Sequence, residues 1–231
     1  MTESSLPRRR EFLGRLAAGA VALGLTGSIP EAIAAEPHTR RNVAPDDKWL
    51  SSLTGKHRQL FDMPNHMNGM GLLHVRNYLN TMRDSYGVKK PDVTAVVTLY
   101  GMTTMLSFND AMWQKYGLAK PTKVMDASNA PASSNVFAKS APGAESLSLT
   151  GAPIPIPADS SISSLQQRGA IFLLCNNAFN VWMGLLGGGG TKSADMRTEF
   201  LANMLPDVQL VPAMVVAVNQ AQMHGCSYMY L

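Results

Sequence analysis

An apolar run that ends in a cysteine constrains the fold of this chain more than any other stretch. The run is Gly169-Ala-Ile-Phe-Leu-Leu-Cys-Asn-Asn177. Its length and its Ile and Phe content predict a buried β-strand, and a helical pattern begins directly after it. In open α/β sheets, ligands bind outside the carboxyl ends of strands, where the next helix presents its positive N-terminus. We therefore predict that Cys175 lies at the functional centre of the protein.

Strand and helix patterns alternate along the chain on both sides of this run. Strands are predicted at 57–62, 92–100, 170–175, 208–212 and 227–230. Helices are predicted at 72–86, 103–116, 161–167, 178–186, 196–205 and 213–224. This alternation predicts a three-layer α/β/α domain, in which a mainly parallel sheet of about five strands carries helices on both faces.

The N-terminus has the composition and order of an export signal. Arg8-Arg9-Arg10-Glu11-Phe12-Leu13 matches a twin-arginine pattern, a mildly apolar stretch follows at 16–25, and Ala32-Ile33-Ala34 provides small residues for cleavage. We predict that residues 1–34 are a twin-arginine signal peptide and that the mature protein acts in the bacterial periplasm, which is oxidising. The alternative is a basic N-terminus that precedes an amphipathic helix by chance.

Two further segments lack the periodicity of a packed domain. Residues 35–54 are polar and contain two prolines, which predicts a linker whose end Trp49 and Leu50 attach to a domain at 55–231. A Pro-, Ala- and Ser-rich segment interrupts that domain at about 119–158. Such long irregular segments are unusual in compact domains, so we expect a tolerated surface insert, with a functional lid as the alternative.

Charge and hydropathy exclude two classes of partner. The formal net charge is +4, and 16% of the residues are charged. Beyond residue 41 the basic residues are scattered and form no stripe that follows phosphates, so nucleic acid is not an expected partner. No apolar run reaches the ~20 residues of a membrane span, so no integral span is expected after signal cleavage.

Three segments of the second half resemble the DsrE/DsrF-like family of sulfur-relay proteins. They are Gly169–Asn177, the stretch Leu205-Pro-Asp-Val-Gln-Leu-Val-Pro-Ala213, and the terminal stretch Val215–Tyr230 with Gly225-Cys-Ser-Tyr228. Family members have, in this order, a strand that ends in a cysteine, a Leu-Pro-x-Val entry to a strand, and a final Gly-x-x-Tyr strand. The first half is similar more loosely, at 61–62, 75–79 and 96–106. The resemblance spans about 56–231 without the insert.

The resemblance implies a flavodoxin-like, doubly wound domain that is often oligomeric, and a cysteine at position 175 that carries sulfur as a persulfide. The implied partner is a sulfur donor or acceptor protein or a small persulfide, and no cofactor is implied. We expect Asn176, Asn177, Tyr100 and Gly101 to line the site. Two features differ from the cytoplasmic relay members. Tyr100-Gly101 stands where a His-Gly pair is common, and this chain has an export signal and an insert.

The chemistry of a sulfur carrier requires Cys175 to act as a thiolate, which a helix N-terminus stabilises. Backbone N–H groups and the amides of Asn176 and Asn177 are the expected partners of the developing charge. Two other interpretations stay open at this point. Free cysteines are often simply buried. Cys175 and Cys226, the two cysteines of the chain, are also candidates for a disulfide, although their predicted places at opposite ends of the sheet make a bridge awkward.

Methionine and histidine suggest an alternative function of a different class. The chain has 15 methionines, and His66, Met70 and His74 align if the first helix starts early. Thioether and imidazole ligands suit Cu(I), so a non-enzymatic copper-binding protein on the same fold is the alternative, against methionines that only pack in the core. No zinc-type Cys/His spacing is present. The run Gly187–Gly190 lacks the Gly-Lys-Ser/Thr order of a phosphate loop and is predicted to be a hinge.

Overall fold

The computed structural model describes residues 47–126, 128–139, 157–187 and 189–231, and the backbone of 146–148 and 153–155. The strands, in chain order, are β1 (His57–Asp62), β2 (Val93–Leu99), β3 (Ser146–Ser148), β4 (Pro153–Pro155), β5 (Ala170–Cys175), β6 (Val208–Val211) and β7 (Ser227–Tyr230). The helices are α1 (Lys48–Ser51), α2 (Met70–Asp84), α3 (Asp110–Tyr116), α4 (Ala119–Thr122), α5 (Ile162–Gln167), α6 (Asn176–Gly187), α7 (Gly190–Ala202) and α8 (Met214–Met223). Short 3-10 helices cover Met67–Gly69, Gly101–Ser107 and Ala158–Ser160. In the described part of the chain, every helix is too short or too polar to cross a membrane.

Five strands form an all-parallel sheet in the order β6-β5-β2-β1-β7, and β3 and β4 form a separate antiparallel pair. From β1 through β2 and β5 to β6, each connection leads to the neighbouring strand in the same direction. The connection from β6 to β7 instead returns to the opposite edge. Because crossovers between parallel strands are right-handed, this reversal places the returning helix, α8, on the opposite face of the sheet.

Side-chain burial confirms that the sheet separates two cores. Val97 and Leu174 belong to the first core, together with residues of α2, α3, α5, α6 and α7. Val96 and Cys175 belong to the second core, together with residues of α1 and α8. The predicted three-layer, doubly wound α/β/α fold of flavodoxin-like type is therefore confirmed.

Strands β2 and β5 lie inside the sheet, and all of their residues are buried. They pair in register, for example Val96 with Ile171 and Leu99 with Leu174. Continuous apolar runs are typical of parallel strands that are covered on both faces. The run that ends at Cys175 is thus a central strand, and α6 begins at the next residue, as predicted.

The end of the predicted linker packs onto the domain. Trp49 in α1 is 1% exposed, and Leu50 packs partly buried against the second core. The prediction that these two residues attach the linker is confirmed. The rest of the linker before residue 47, and the predicted signal peptide, lie outside the described residues.

Two predicted helices differ from the structure. The segment predicted as one helix over 103–116 consists of the 3-10 helix and α3, separated by the extended residue Phe108. The Asn109 side chain caps α3, because its Oδ1 accepts a hydrogen bond from the Met112 N–H at 3.3 Å. The helix predicted at 196–205 begins earlier, at Gly190, and ends at Ala202.

The first part of the segment at 119–158 is attached to the core by several buried side chains, although other residues of it are exposed. Val124 is 0% and Phe137 is 4% exposed. The Asn135 Nδ2 donates hydrogen bonds to the carbonyl oxygens of Leu106 and Phe108, both at 2.8 Å. The described residues up to 139 are therefore more than a surface insert, because Asn135 satisfies backbone groups of the domain itself.

We predict that His66 makes the stability of the fold sensitive to mild acid. Its ring is buried, its Nδ1 accepts from the Asn68 N–H at 3.1 Å and its Nε2 donates to the Thr122 carbonyl at 2.9 Å. Burial lowers the pKa of His66 in the folded protein below its usual value, so the unfolded chain binds the proton first. The free energy of unfolding is therefore greatest above the pKa that His66 has in the unfolded chain, and it falls as the pH decreases below that value.

Urea denaturation at several pH values between neutral and mildly acidic measures this effect. We expect His66→Gln to be less stable than the native protein at neutral pH but to lose less stability on acidification. His57→Gln, which changes an exposed histidine, is the control and should retain the native pH dependence. Equal acid sensitivity of the native protein and His66→Gln would contradict the prediction.

Candidate functional site

The carboxyl ends of β5 and β6 form the crevice in which an open α/β sheet binds ligands. The chain leaves β5 through α6 toward the first core and leaves β6 through α8 toward the second core. Neighbouring strands whose connections depart to opposite faces define a topological switch point, where ligands bind. Cys175 is the last residue of β5, and it pairs with Val211, the last residue of β6. The predicted functional residue therefore lies at the switch point.

The N-termini of two helices converge on the Cys175 sulfur. Its Sγ accepts a hydrogen bond from the Ala178 N–H in the first turn of α6 at 3.4 Å. It accepts a second from the Met214 N–H at the start of α8 at 3.3 Å. Helix N-termini carry positive partial charge. The sulfur thus has two donors of the kind that stabilises a negative charge.

A cavity of about 440 Å³ opens beside this sulfur. Its size suits a small organic ligand. The polar members of its lining come from the carboxyl ends of β1, β2 and β5, and its apolar members come mainly from α8. The lining residues are Asp62, Tyr100, Cys175, Asn177, Ala178, Ala213, Met214, Val215 and Val218.

Asp62 is a buried carboxylate that also lines the cavity. It ends β1 and is 6% exposed. The hydroxyl of Thr98 on β2 donates to its Oδ1 at 3.0 Å, and the hydroxyl of Tyr228 on β7 donates to its Oδ2 at 2.6 Å. Three neighbouring strands therefore contribute to one hydrogen-bonded cluster beside the cavity.

The pKa values of two tyrosine hydroxyls beside Asp62 are raised above their usual range. Burial and then the charge and hydrogen bond of Asp62 raise the pKa of Tyr100 far above its usual range. The hydrogen bond to Asp62 and burial raise the pKa of Tyr228 to about 12. At neutral pH both phenols are hydrogen-bond donors, and Tyr100 cannot act as the base that a histidine at its position would provide.

The structure brings together three of the five predicted site residues. Tyr100, Cys175 and Asn177 line the cavity. Asn176 faces α7, where its Oδ1 accepts from Arg197 Nη2 at 2.7 Å. Gly101 has φ +59, and a Cβ there would lie 2.9 Å from the carbonyl oxygen of Pro64. Asn176 and Gly101 are thus outside the lining, at the first positions of α6 and of the 3-10 helix after β2.

Sequence reasoning missed Asp62, Met214 and Tyr228 as members of the site. Asp62 carried a local signal, because it is a carboxylate at the end of a predicted strand, and parallel strands end at the same edge of a sheet. Met214 contributes its backbone N–H. The identity of a residue does not indicate such a role, so the sequence could not predict it. Tyr228 contacts Asp62 across 166 positions of the chain.

The two cysteines are free thiols. Cys175 ends β5, whereas Cys226 immediately precedes β7. Because the strands are parallel, the two residues lie at opposite ends of the sheet, as the sequence indicated. Burial raises the pKa of the Cys226 thiol, so Cys226 is the less reactive kind of cysteine.

The proposed copper ligands do not align on one helix. His66 precedes the start of α2 at Met70, and both of its ring nitrogens make hydrogen bonds to the backbone. Within the described residues, no group of three His, Cys, Asp or Glu side chains is placed to hold a metal ion. Of the glycine run, Gly187 ends α6 and Gly190 begins α7, and the N–H of Gly189 donates to Ser193 Oγ at 3.0 Å.

Replacing Met214 by proline should slow the reaction of Cys175. Proline suits the first position of a helix, and Ala213 has the extended conformation (φ −149, ψ 133) that a residue before proline adopts. The Met214→Pro variant removes the N–H donor to the sulfur, while Met214→Ala removes the same side chain and keeps the donor. We expect Cys175 to react with iodoacetamide about tenfold more slowly in Met214→Pro than in Met214→Ala, since hydrogen bonds to charged groups contribute ~1.5–3 kcal/mol.

Mass spectrometry in a Cys226→Ser background measures this rate for Cys175 alone. Circular dichroism should show that both variants keep the native fold. Equal rates in the two variants would show that the Met214 N–H does not support the reactive form of the sulfur.

Comparison of the chain with models of protein families, with curated proteins and with solved structures finds no match. Because one fold supports many functions, a functional conclusion has to come from the chemistry of the site.

Proposed function

We propose that this protein is an exported, DsrE/DsrF-like sulfur carrier that holds sulfur as a persulfide on Cys175. One observation carries the proposal: the Cys175 sulfur borders a cavity and accepts N–H hydrogen bonds from the N-termini of two helices. A reactive cysteine needs a thiolate, an electropositive surrounding and access for its substrate. The described geometry provides the second and the third.

The segments that carry the family resemblance also surround the cavity. Gly169–Asn177 contains Cys175 and Asn177, and the stretch from Leu205 to Ala213 leads directly to the Met214 N–H. The terminal Gly-x-x-Tyr motif contributes Tyr228, which contacts Asp62. That these distant segments meet at one site supports a shared function for them.

The transfer step is a displacement at sulfur. The Cys175 thiolate attacks the outer sulfur of a hydropersulfide, R–S–S–H. A bond forms between the Cys175 Sγ and that sulfur, the S–S bond of the donor breaks, and the thiolate R–S⁻ leaves with the electron pair. In the second half of the cycle, the thiolate of an acceptor attacks the outer sulfur of the Cys175 persulfide and regenerates the Cys175 thiolate. The N–H groups of Ala178 and Met214 are positioned to stabilise the anion at both stages.

Sulfur uptake should require Cys175 and should not require Cys226. We expect treatment of the folded protein with polysulfide to add the mass of one sulfur atom. The adduct should persist in Cys226→Ser, be absent in Cys175→Ser, and disappear when a small thiol is added. Intact-mass spectrometry of the three proteins measures this directly.

The matched pair of serine variants controls for nonspecific sulfuration, since both thiols are buried. The carrier proposal would be refuted if Cys175 never gained sulfur and stayed unreactive toward alkylating agents in the folded protein. A saturable uptake of Cu(I) by the protein with both cysteines replaced would instead support the copper-binding alternative.

Export is the second part of the proposal, and it rests on residues outside the described part of the chain. The twin-arginine pair Arg9-Arg10 precedes Glu11-Phe12-Leu13. We expect the double substitution Arg9→Lys, Arg10→Lys to block export, because the twin-arginine route requires the pair. The adjacent arginines Arg40 and Arg41 provide a matched control, since the same double substitution there lies beyond the predicted cleavage site.

Fractionation of bacterial cells that express the three chains measures export. The native chain and the Arg40/Arg41 variant should appear in the periplasm in a shortened form, and the Arg9/Arg10 variant should stay in the cytoplasm at full length. Periplasmic accumulation of the Arg9/Arg10 variant would refute the twin-arginine assignment.

A further inference from the structure

The Asp62 carboxylate is buried without a cation beside it. It is 6% exposed, and the groups that hydrogen-bond to it are uncharged hydroxyls, those of Thr98, Tyr228 and Tyr100. The ion pairs formed by the described residues involve other acids, namely Asp84, Asp159 and Glu199. A buried carboxylate is costly unless it is paired, and hydroxyl donors give it hydrogen bonds but no countercharge. This unpaired charge lies on the wall of a cavity that can admit a ligand.

The lining of the cavity contains no lysine, arginine or histidine among the described residues. Besides Asp62 and Cys175, its side chains are uncharged, and Met214, Val215 and Val218 make much of its wall apolar. An anion that enters loses hydration against this wall and meets the negative charge of Asp62. A cation loses the same hydration but gains the carboxylate as a partner.

The two polar ends of the cavity have opposite signs. Cys175 and Asp62 lie on β5 and β1, with β2 between them. Neighbouring strands are ~4.8 Å apart, so the two strands are separated by about 10 Å. Both side chains project toward the α8 face, because Cys175 alternates with Leu174, and Asp62 with Phe61, which belong to the first core. The helix N-termini make the Cys175 end positive, and the carboxylate makes the other end negative.

We propose that the sulfur donor that enters this cavity is a small organic hydropersulfide with an ammonium group, which pairs with Asp62, and that anionic donors such as thiosulfate are rejected. The inference rests on the proposed function, of which it names the substrate class. In the bound donor the ammonium lies at Asp62 and the S–S bond lies at Cys175. The outer sulfur passes to the Cys175 thiolate, and the aminothiolate leaves. The neutral phenols of Tyr100 and Tyr228 add no charge that opposes this arrangement.

Methanethiosulfonate reagents of different charge test the selectivity of the cavity without sulfur transfer. A thiolate attacks the thio sulfur of the reagent, a mixed disulfide forms, and methanesulfinate leaves. In a Cys226→Ser background, the 2-aminoethyl reagent carries an ammonium and the 2-sulfonatoethyl reagent carries a sulfonate. Each rate at Cys175 is divided by the rate of the same reagent with a small free thiol. We expect the normalised ratio of cationic to anionic rates to be on the order of tenfold or more.

Asp62→Asn should reduce this ratio to near one, because it removes the charge and keeps the shape of the side chain. Asp195→Asn, which changes an exposed aspartate on α7, alters the net charge equally and should retain the native ratio. A native ratio near one would overturn the inference, and this result does not depend on whether Asp62→Asn folds. An unchanged ratio in a folded Asp62→Asn protein would overturn the role of Asp62.

Sulfur uptake from 2-aminoethyl hydropersulfide and from thiosulfate separates this inference from the proposed function. Faster uptake from the amine donor supports both the carrier function and the ammonium-bearing donor class. Equal uptake from the two donors leaves the carrier function in place and refutes the donor class. Uptake from neither donor, despite a preference for the cationic reagent, refutes the carrier function and the donor together and leaves a cavity that binds ammonium groups.

Discussion

Two hydrogen bonds to one sulfur atom depend on the whole architecture of this domain. The Ala178 N–H comes from the helix that follows β5, and the Met214 N–H comes from the helix that follows β6. These helices pack on opposite faces of the sheet, so their N-termini approach each other only where the strands end. Cys175 occupies that place because it is the last residue of β5. The direction of the crossovers and the position of one cysteine therefore act together to make the site.

The reversal of direction after β6 also explains why the site is open. Three connections place their helices on the first face, where they bury a large core. The second face is covered by α8 and by the short α1, whose Trp49 packs in the smaller core. With fewer elements over that face, the carboxyl ends of β1, β2 and β5 are left with space above them. The cavity beside Cys175 is the result.

The electrostatics of this space follow from the same arrangement. The backbone dipoles of two helices concentrate positive charge at Cys175, while β1 brings Asp62 to the other side of β2. Burial and the Asp62 carboxylate raise the pKa of Tyr100, and the hydrogen bond to Asp62 raises that of Tyr228, so both phenols are uncharged hydrogen-bond donors. The Cys175 sulfur and the Asp62 carboxylate each accept hydrogen bonds from their own set of donors.

The sequence by itself determined the elements and the place of the cysteine. Local periodicity reports burial on one face or on both, which is why the central strand, its terminal Cys175 and the layered fold could be predicted. Only the tertiary structure decided which partners reach that cysteine. The Met214 N–H and the Asp62 carboxylate reach the site through strand order and crossover handedness, which bring together residues far apart in the chain. It also decided that Val124, Asn135 and Phe137 are buried in the core, because such contacts are made to distant parts of the chain and follow no local period.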